Sequence, residues 1–149
     1  MKSTRTHPFI FLILLTALAG CRTPQETLVS VQTEFAADET WQLTAMRGRE
    51  VTLAEGQGQL TLQINPEAGT FSGFSGCNRY FGTLQLGRDG HLTFSDFNGT
   101  KMACPEAFHR VESSYLQHLR KCDTYILEQY RLQLLQGDKP MLTFEKLIP

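Results

Sequence analysis

The sequence lacks the residue patterns that mark the common catalytic and metal-binding sites. None of its four cysteines and four histidines are spaced as Cys-x-x-Cys or His-x-x-x-His, the usual spacings of zinc ligands. Residues 73–76, Gly-Phe-Ser-Gly, do not have the spacing of a Gly-x-Ser-x-Gly nucleophile elbow, and no glycine-rich stretch matches a phosphate-binding loop. We therefore expect a protein that is not an enzyme, with no catalytic residue, no metal and no cofactor.

Charged residues are sparse, and they are not clustered. Asp, Glu, Lys and Arg make up 19% of the 149 residues, the formal net charge is −1, and the basic residues are scattered singly. A protein that binds nucleic acid usually carries a concentrated basic patch. We therefore expect no nucleic acid among the partners.

The most apolar run of the chain lies near its N-terminus. Residues 9–15 follow Lys2 and Arg5, and they are too few to span a bilayer but have the length of a signal-peptide core. Residues 18–21, Leu-Ala-Gly-Cys, resemble a bacterial lipobox, whose cysteine is lipidated and becomes the new N-terminus. We predict a lipoprotein signal peptide over residues 1–20 and lipidation of Cys21. The alternative is a secretory peptide without lipid, in which the cysteine occurs by chance.

The predicted mature chain begins with a lipidated cysteine and a polar tether over residues 21–39. Removing residues 1–20 takes Lys2 and Arg5 from the fourteen basic residues and leaves twelve against fifteen acidic ones, a formal charge of −3. Arg22 follows Cys21 in place of the aspartate that would favour inner-membrane retention under the enterobacterial sorting rule. We therefore expect a lipid-anchored protein of the bacterial cell envelope, on the outer membrane and facing the periplasm. Such an exported compartment permits disulfides.

From residue 40 onward the pattern indicates short β-strands. Apolar and polar residues alternate in several segments about ten residues apart, which is typical of half-buried strands. The central stretch predicts two strands, at about residues 69–74 and 79–86, joined through a turn in which Gly76 and Asn78 adopt positive φ. Further predictions are a short strand over residues 51–53 and a turn over residues 97–100. We expect a mainly β (α+β) fold, a curled antiparallel sheet or small barrel.

One helix is predicted near the C-terminal end of the chain. Pro105 suits the first position of a helix. An apolar stripe then recurs at spacings of three and four residues, which is the helical period: Phe108, Val111, Tyr115, Leu119 and Cys122. Residues 123–124 end the predicted helix.

Few residues remain as candidates for chemistry. We predict a disulfide between Cys77 and Cys104, against the alternatives of a reduced buried pair or a catalytic thiol. A metal site built from Cys77, Cys104, Cys122 and His118 has no support from spacing. Asn78 and Arg79 are possible binding residues, against the alternative that Asn78 supports the turn and Arg79 forms a surface pair. The other polar candidates are assigned ordinary roles in turns, at the helix start or on the surface: His91, Asp96, Glu106, His109 and Glu112.

Several motifs together resemble those of the META domain, also called the HslJ-like family. The most specific are Gly-Cys-Asn at residues 76–78 and Thr-Lys-Met-Ala-Cys at residues 100–104, and the match extends over about residues 40–146. The resemblance implies a lipocalin-like barrel of mixed α and β structure over residues 40–149, found in bacterial envelope lipoproteins and linked to heat-shock or envelope stress. It implies no catalytic residue.

These observations lead to one main functional expectation. We expect a membrane-anchored envelope lipoprotein that acts as a non-enzymatic, stress-related binding or scaffolding module, with the membrane and an envelope protein as partners. Two alternatives remain open: an inhibitor of an exported hydrolase such as a lysozyme or protease, and a carrier of a small apolar ligand.

Overall fold

The computed structural model describes residues 34–37 and 39–148. The predicted signal peptide, the lipidation site Cys21 and the tether as far as residue 33 lie outside the described residues. Within the described part, no helix is both long enough and apolar enough to cross a membrane.

The described chain forms nine strands and one helix. The elements, in chain order, are β1 (Thr40–Met46), β2 (Arg49–Glu50), β3 (Leu60–Asn65), β4 (Thr70–Ser75), β5 (Arg79–Leu86), β6 (Leu92–Gly99), α1 (Glu106–Leu119), β7 (Thr124–Leu127), β8 (Arg131–Gln136) and β9 (Lys139–Lys146).

The strands form one curled antiparallel sheet, a half-barrel. Their order across it is β6-β5-β4-β3-β1-β9-β8-β7, and the two-residue β2 pairs with β1 outside this series. The first long strand and the last, β1 and β9, are therefore neighbours in the middle of the sheet. The two edges, β6 and β7, approach each other where His91 forms an isolated bridge with Thr124. The predicted fold class, a mainly β curled sheet with one helix, is confirmed.

Alternating side chains and the helix together build the core. In β3, Leu60, Leu62 and Ile64 are buried while Gln63 points outward, as the period of a half-buried strand requires. Helix α1 packs against β4 and β9, and its Tyr115 and Leu119 are fully buried in the same cluster. Burying these apolar side chains is the main stabilising contribution to the fold.

A pair of buried tyrosines links the sheet to the helix. The Tyr80 hydroxyl donates to the Thr61 carbonyl oxygen at 2.7 Å, so the hydrogen bond of 2.5 Å between Tyr80 and Tyr115 is donated by Tyr115. Burial raises the pKa values of both hydroxyl groups well above the ordinary value for tyrosine. Gly73 makes room for this arrangement, because a Cβ there would lie 2.0 Å from the Thr61 oxygen.

Three local predictions were wrong. Residues 51–53 are not a strand, because after β2 only the Val51 N–H continues the pairing, to Thr44, before the chain leaves the sheet. Residues 97–99 belong to β6 instead of a turn, since Gly99 pairs with Tyr80 and Asn98 with Phe81 beyond a bulge. Helix α1 ends at Leu119, short of the predicted end, because the next turn tightens into bonds from residues 121 and 122 to carbonyls three residues earlier.

Candidate functional site

Asn78 lies at the tight turn between β4 and β5, and its side chain is used for structure. Gly76 takes a φ of 90° there, which glycine adopts without strain, whereas Asn78 does not adopt the positive φ that we predicted for it. The Asn78 Oδ1 accepts hydrogen bonds from Thr100 Oγ1 at 2.9 Å and from the Met102 N–H at 2.8 Å. The residue is 8% exposed. Asn78 therefore ties the segment of residues 100–104 to the turn.

Glu112 is buried, although we predicted it on the helix surface. Its carboxylate accepts hydrogen bonds from the Ser75 hydroxyl and from Asn78 Nδ2, the latter at 3.1 Å, and His109 Nδ1 lies 3.4 Å away. The residue is 8% exposed. The prediction failed because the polar partners of Glu112 come from the β4–β5 corner, which packs against the first turns of α1. The same packing brings His109, predicted as a plain surface residue, to this carboxylate.

The Cys77 and Cys104 sulfurs lie at disulfide distance, and the corresponding Cα atoms are 6.2 Å apart. This pairing joins the β4–β5 corner to the segment just before the helix. Cys77 is buried, and Asn78 Nδ2 donates to its sulfur at 3.3 Å. The corner is thus held to the helix entrance by one covalent link and several hydrogen bonds.

An open groove lies beside this corner, between α1 and the end of β6. We call it the α1–β6 groove. Its volume is about 850 Å³, and it is lined chiefly by Arg79, residues 97–103, His109, Glu112 and Arg120. The volume is in the range of small-molecule sites.

Three exposed cations border the α1–β6 groove, and each comes from a different element. Arg79 begins β5, Lys101 follows β6 and Arg120 follows the last residue of α1. The Arg120 guanidinium is held 4.3 Å from the centre of the Phe97 ring. In the part of the chain that the structure describes, the ion pairs are His109–Glu112, Arg110–Glu106 and Lys146–Glu39, so these three cations have no acidic partner.

The remaining candidates are not brought to this groove. His118 and Cys122 lie at the far end of α1, where the Cys122 thiol donates to the His118 carbonyl oxygen at 3.3 Å. Burial, and then the charge of Asp123, raise the pKa of the Cys122 thiol to about 12. Asp96 accepts a hydrogen bond from Thr83 at 2.6 Å, at the β6 bulge. The four residues weighed as a metal site in the sequence, Cys77, Cys104, Cys122 and His118, are therefore not brought together.

Comparison with known proteins decides the family. The sequence profile described as the META domain matches residues 33–147. The chain belongs to the META domain family. The resemblance read from the Gly-Cys-Asn and Thr-Lys-Met-Ala-Cys motifs is thus confirmed, and those motifs form the corner beside the groove.

Solved structures show the same fold as this META domain. An NMR structure of a protein from Burkholderia xenovorans is 32% identical with a TM-score of 0.60, and the match covers 75% of this chain and 83% of that one. A second NMR structure is 22% identical (TM-score 0.55, coverage 73% and 89%). A DUF4847 family protein from Bacteroides vulgatus is 18% identical (TM-score 0.52, coverage 73% and 92%). No curated protein matches the chain.

Proposed function

We propose that this chain is a lipid-anchored envelope protein whose META domain is a non-enzymatic binding module, and that an acidic partner binds in the α1–β6 groove. The lipobox over residues 18–21 supports the anchor. The single observation that carries the binding role is the convergence of Arg79, Lys101 and Arg120 on one open groove without acidic partners among the described residues.

The arrangement of these cations favours binding of an anionic surface. A groove lined by one sign of charge concentrates the field and raises the local concentration of an oppositely charged partner. Phe97 restrains the Arg120 guanidinium, so less side-chain entropy is lost when an anion binds. The Glu112 carboxylate at the floor of the groove is hydrogen-bonded to Ser75 and Asn78 beneath it, which partly offsets its repulsion of an anion.

The packing of the domain favours a binding role over the alternative of an apolar ligand carrier. The inside of the half-barrel is filled by the domain's own side chains, including Trp41, Phe71, Tyr115 and Phe144, each at most 2% exposed. The groove itself mixes charged residues with the half-buried Phe97 and the exposed Met102. An acidic partner with some apolar surface fits that lining better than a purely apolar molecule.

Site-directed photo-crosslinking in intact cells tests the groove. A photoreactive amino acid replaces Met102, which is 60% exposed at the groove. We expect a discrete crosslinked product that disappears in the Arg79→Glu/Arg120→Glu variant. The matched control, Arg88→Glu/Arg131→Glu, makes the same charge change at exposed positions away from the groove and should keep the product. Equal crosslinking in both variants would contradict the proposal.

A separate experiment tests the anchor and the stress role. Cells fed a clickable fatty acid should label the chain, and Cys21→Ala should abolish both the label and the fractionation with membranes. Unchanged survival of a deletion strain under heat and envelope stress would count against the stress role. If the crosslinked partner is an exported hydrolase that the protein slows in an activity assay, the inhibitor alternative replaces scaffolding.

A further inference from the structure

Three possible metal ligands lie together at the β4–β5 corner, although the sequence spacing gave no sign of them. The donor atoms Cys77 Sγ, His109 Nδ1 and a Glu112 carboxylate oxygen all lie within 4.8 Å of one another. We propose that Cys77, His109 and Glu112 form a redox-gated site for a divalent cation of the zinc type, which opens when the Cys77–Cys104 disulfide is reduced. Two of these ligands, His109 and Glu112, also line the α1–β6 groove, but the proposal does not rest on the partner proposed to bind there.

The distances are close to those of a tetrahedral zinc site. With a Zn–N bond of about 2.0 Å and a Zn–O bond of about 2.1 Å, a tetrahedral angle separates the nitrogen and oxygen by about 3.3 Å. His109 Nδ1 and Glu112 Oε2 are 3.4 Å apart. The same calculation with a Zn–S bond of about 2.3 Å places sulfur about 3.6 Å from each of these atoms. The Cys77 sulfur already lies within 4.8 Å of both atoms. Moving the sulfur by about 1 Å would therefore bring all three donors to the distances of a tetrahedral site.

The surroundings of the three ligands suit a metal site. Asn78 Nδ2 donates both to Glu112 Oε2 and to Cys77 Sγ, at 3.1 and 3.3 Å, and therefore fixes the two donors relative to each other. The Ser75 hydroxyl holds the other carboxylate oxygen. Such outer hydrogen bonds orient ligands and tune metal affinity. His109, whose side chain is 40% exposed, faces the groove and gives a cation access.

The disulfide acts as the gate of this site. A sulfur bonded to Cys104 is not a thiolate, and the thiolate is the form that binds metals strongly. A dithiol reductant transfers two electrons and two protons to the disulfide, which gives the Cys77 and Cys104 thiols and leaves the reductant as a disulfide. Binding of the cation then releases the Cys77 proton as the thiolate forms. His109 and Glu112 bind through a ring nitrogen and a carboxylate oxygen, and no electrons are transferred in this step. One thiolate and one carboxylate balance the two positive charges.

The two single cysteine variants give a matched test, because both remove the same disulfide. Cobalt(II) is the probe, added to the full-length chain in non-ionic detergent, since thiolate ligation gives it an intense charge-transfer absorption in the near ultraviolet. Cys104→Ser leaves all three ligands free and should bind cobalt without any reductant. Cys77→Ser should show no charge-transfer band. The wild-type protein should show the band only after reduction by a phosphine.

A histidine pair separates ligation by the cluster from ligation by a thiol alone. In the Cys104→Ser background, His109→Ala should weaken cobalt binding by at least about tenfold, whereas His118→Ala, at the other end of α1, should leave it unchanged. Circular dichroism checks that each variant is folded. No charge-transfer band in folded Cys104→Ser, or equal binding by the two histidine variants, would overturn the proposal, and neither result bears on crosslinking at the groove.

Discussion

Replacing Glu112 with alanine should lower the free energy of unfolding of the META domain by about 3 kcal/mol. The substitution removes the carboxylate that accepts hydrogen bonds from Ser75 and Asn78. Ser75 is compensated in part, because its hydroxyl also lies 2.8 Å from the Asn78 carbonyl oxygen. The Asn78 amide is not compensated in this way, because its other hydrogen-bond acceptor is the Cys77 sulfur, which is a weak acceptor.

The magnitude follows from that difference between the two partners. A hydrogen bond to a charged group contributes about 1.5 to 3 kcal/mol, and a buried donor left without its acceptor costs about 1 to 3 kcal/mol. The two terms together amount to about 2.5 to 6 kcal/mol, and relief of the desolvation of the buried carboxylate brings the net loss toward the lower end of that range. A loss of about 3 kcal/mol is a large share of the 5 to 15 kcal/mol that is typical of a domain.

Equilibrium unfolding in urea measures this loss. With a slope of about 2 kcal/mol per molar urea, the midpoint should fall by about 1.5 M. Glu106→Ala is the matched control, because that carboxylate lies on the same helix with 79% of its side chain exposed, 3.7 Å from Arg110, and should change stability by no more than about 0.5 kcal/mol. Glu112→Gln keeps one acceptor oxygen and should lie between them. An alanine variant at 112 as stable as the one at 106 would refute the reasoning.

Three further predictions concern the core and the cysteines. The Cys77→Ser/Cys104→Ser double variant should lose about 3.5 kcal/mol in urea unfolding, the chain-entropy value for residues 27 apart; a loss below 1 kcal/mol would argue against that model. Gly73→Ala should lose at least about 2 kcal/mol, because the new Cβ would clash with the Thr61 oxygen, while the neighbouring Ser72→Ala should change little. The native Cys122 thiol should resist alkylation at pH 8 and react in urea, since its folded pKa is about 12 against 9.0. Between pH 9 and 12 the folded state therefore keeps a proton on Cys122 that the unfolded state loses, so the free energy of unfolding should fall as the pH rises over that interval. Rapid alkylation of the native protein would contradict the raised pKa.

The parts of the fold that were predicted correctly depend on local chemistry. Gly76 at the β4–β5 turn indicated a positive φ before any tertiary contact was known, and it has a φ of 90°. Apolar side chains alternate along β5 at Tyr80, Leu84 and Leu86, which is the pattern of one buried face, and Tyr80 and Leu84 are buried. Leu86, at the end of that alternation, is exposed because the strand leaves the core there.

The burial of Glu112 could not be read from the apolar stripe of the helix. The spacing of 112, 115 and 119 is as helical as that of 111, 115 and 119, and polarity alone made Glu112 look like a surface residue. Its partners Ser75 and Asn78 are 37 and 34 residues away in sequence. A pattern within one element contains no information about a polar group that another element supplies.

The α1–β6 groove could not be predicted from the sequence for a related reason. Both possible binding residues, Asn78 and Arg79, line it, although the side chain of Asn78 is engaged mainly within the corner. Lys101 and Arg120 join Arg79 only because β5, the segment after β6 and the end of α1 meet in space. In the sequence the three cations appear as isolated charges, which is why composition indicated no charged surface.

The central position of the first and last long strands bears on how the domain matures. Strand β1 pairs with β9 only after residues 139–146 have been made, so the middle of the sheet cannot form before the whole META domain has been synthesised. While residues 139–146 are still inside a ribosome or a translocation pore, the sheet is therefore incomplete. In the envelope location that we propose, this order of synthesis would keep the domain open for threading through a membrane channel until it folds on the far side.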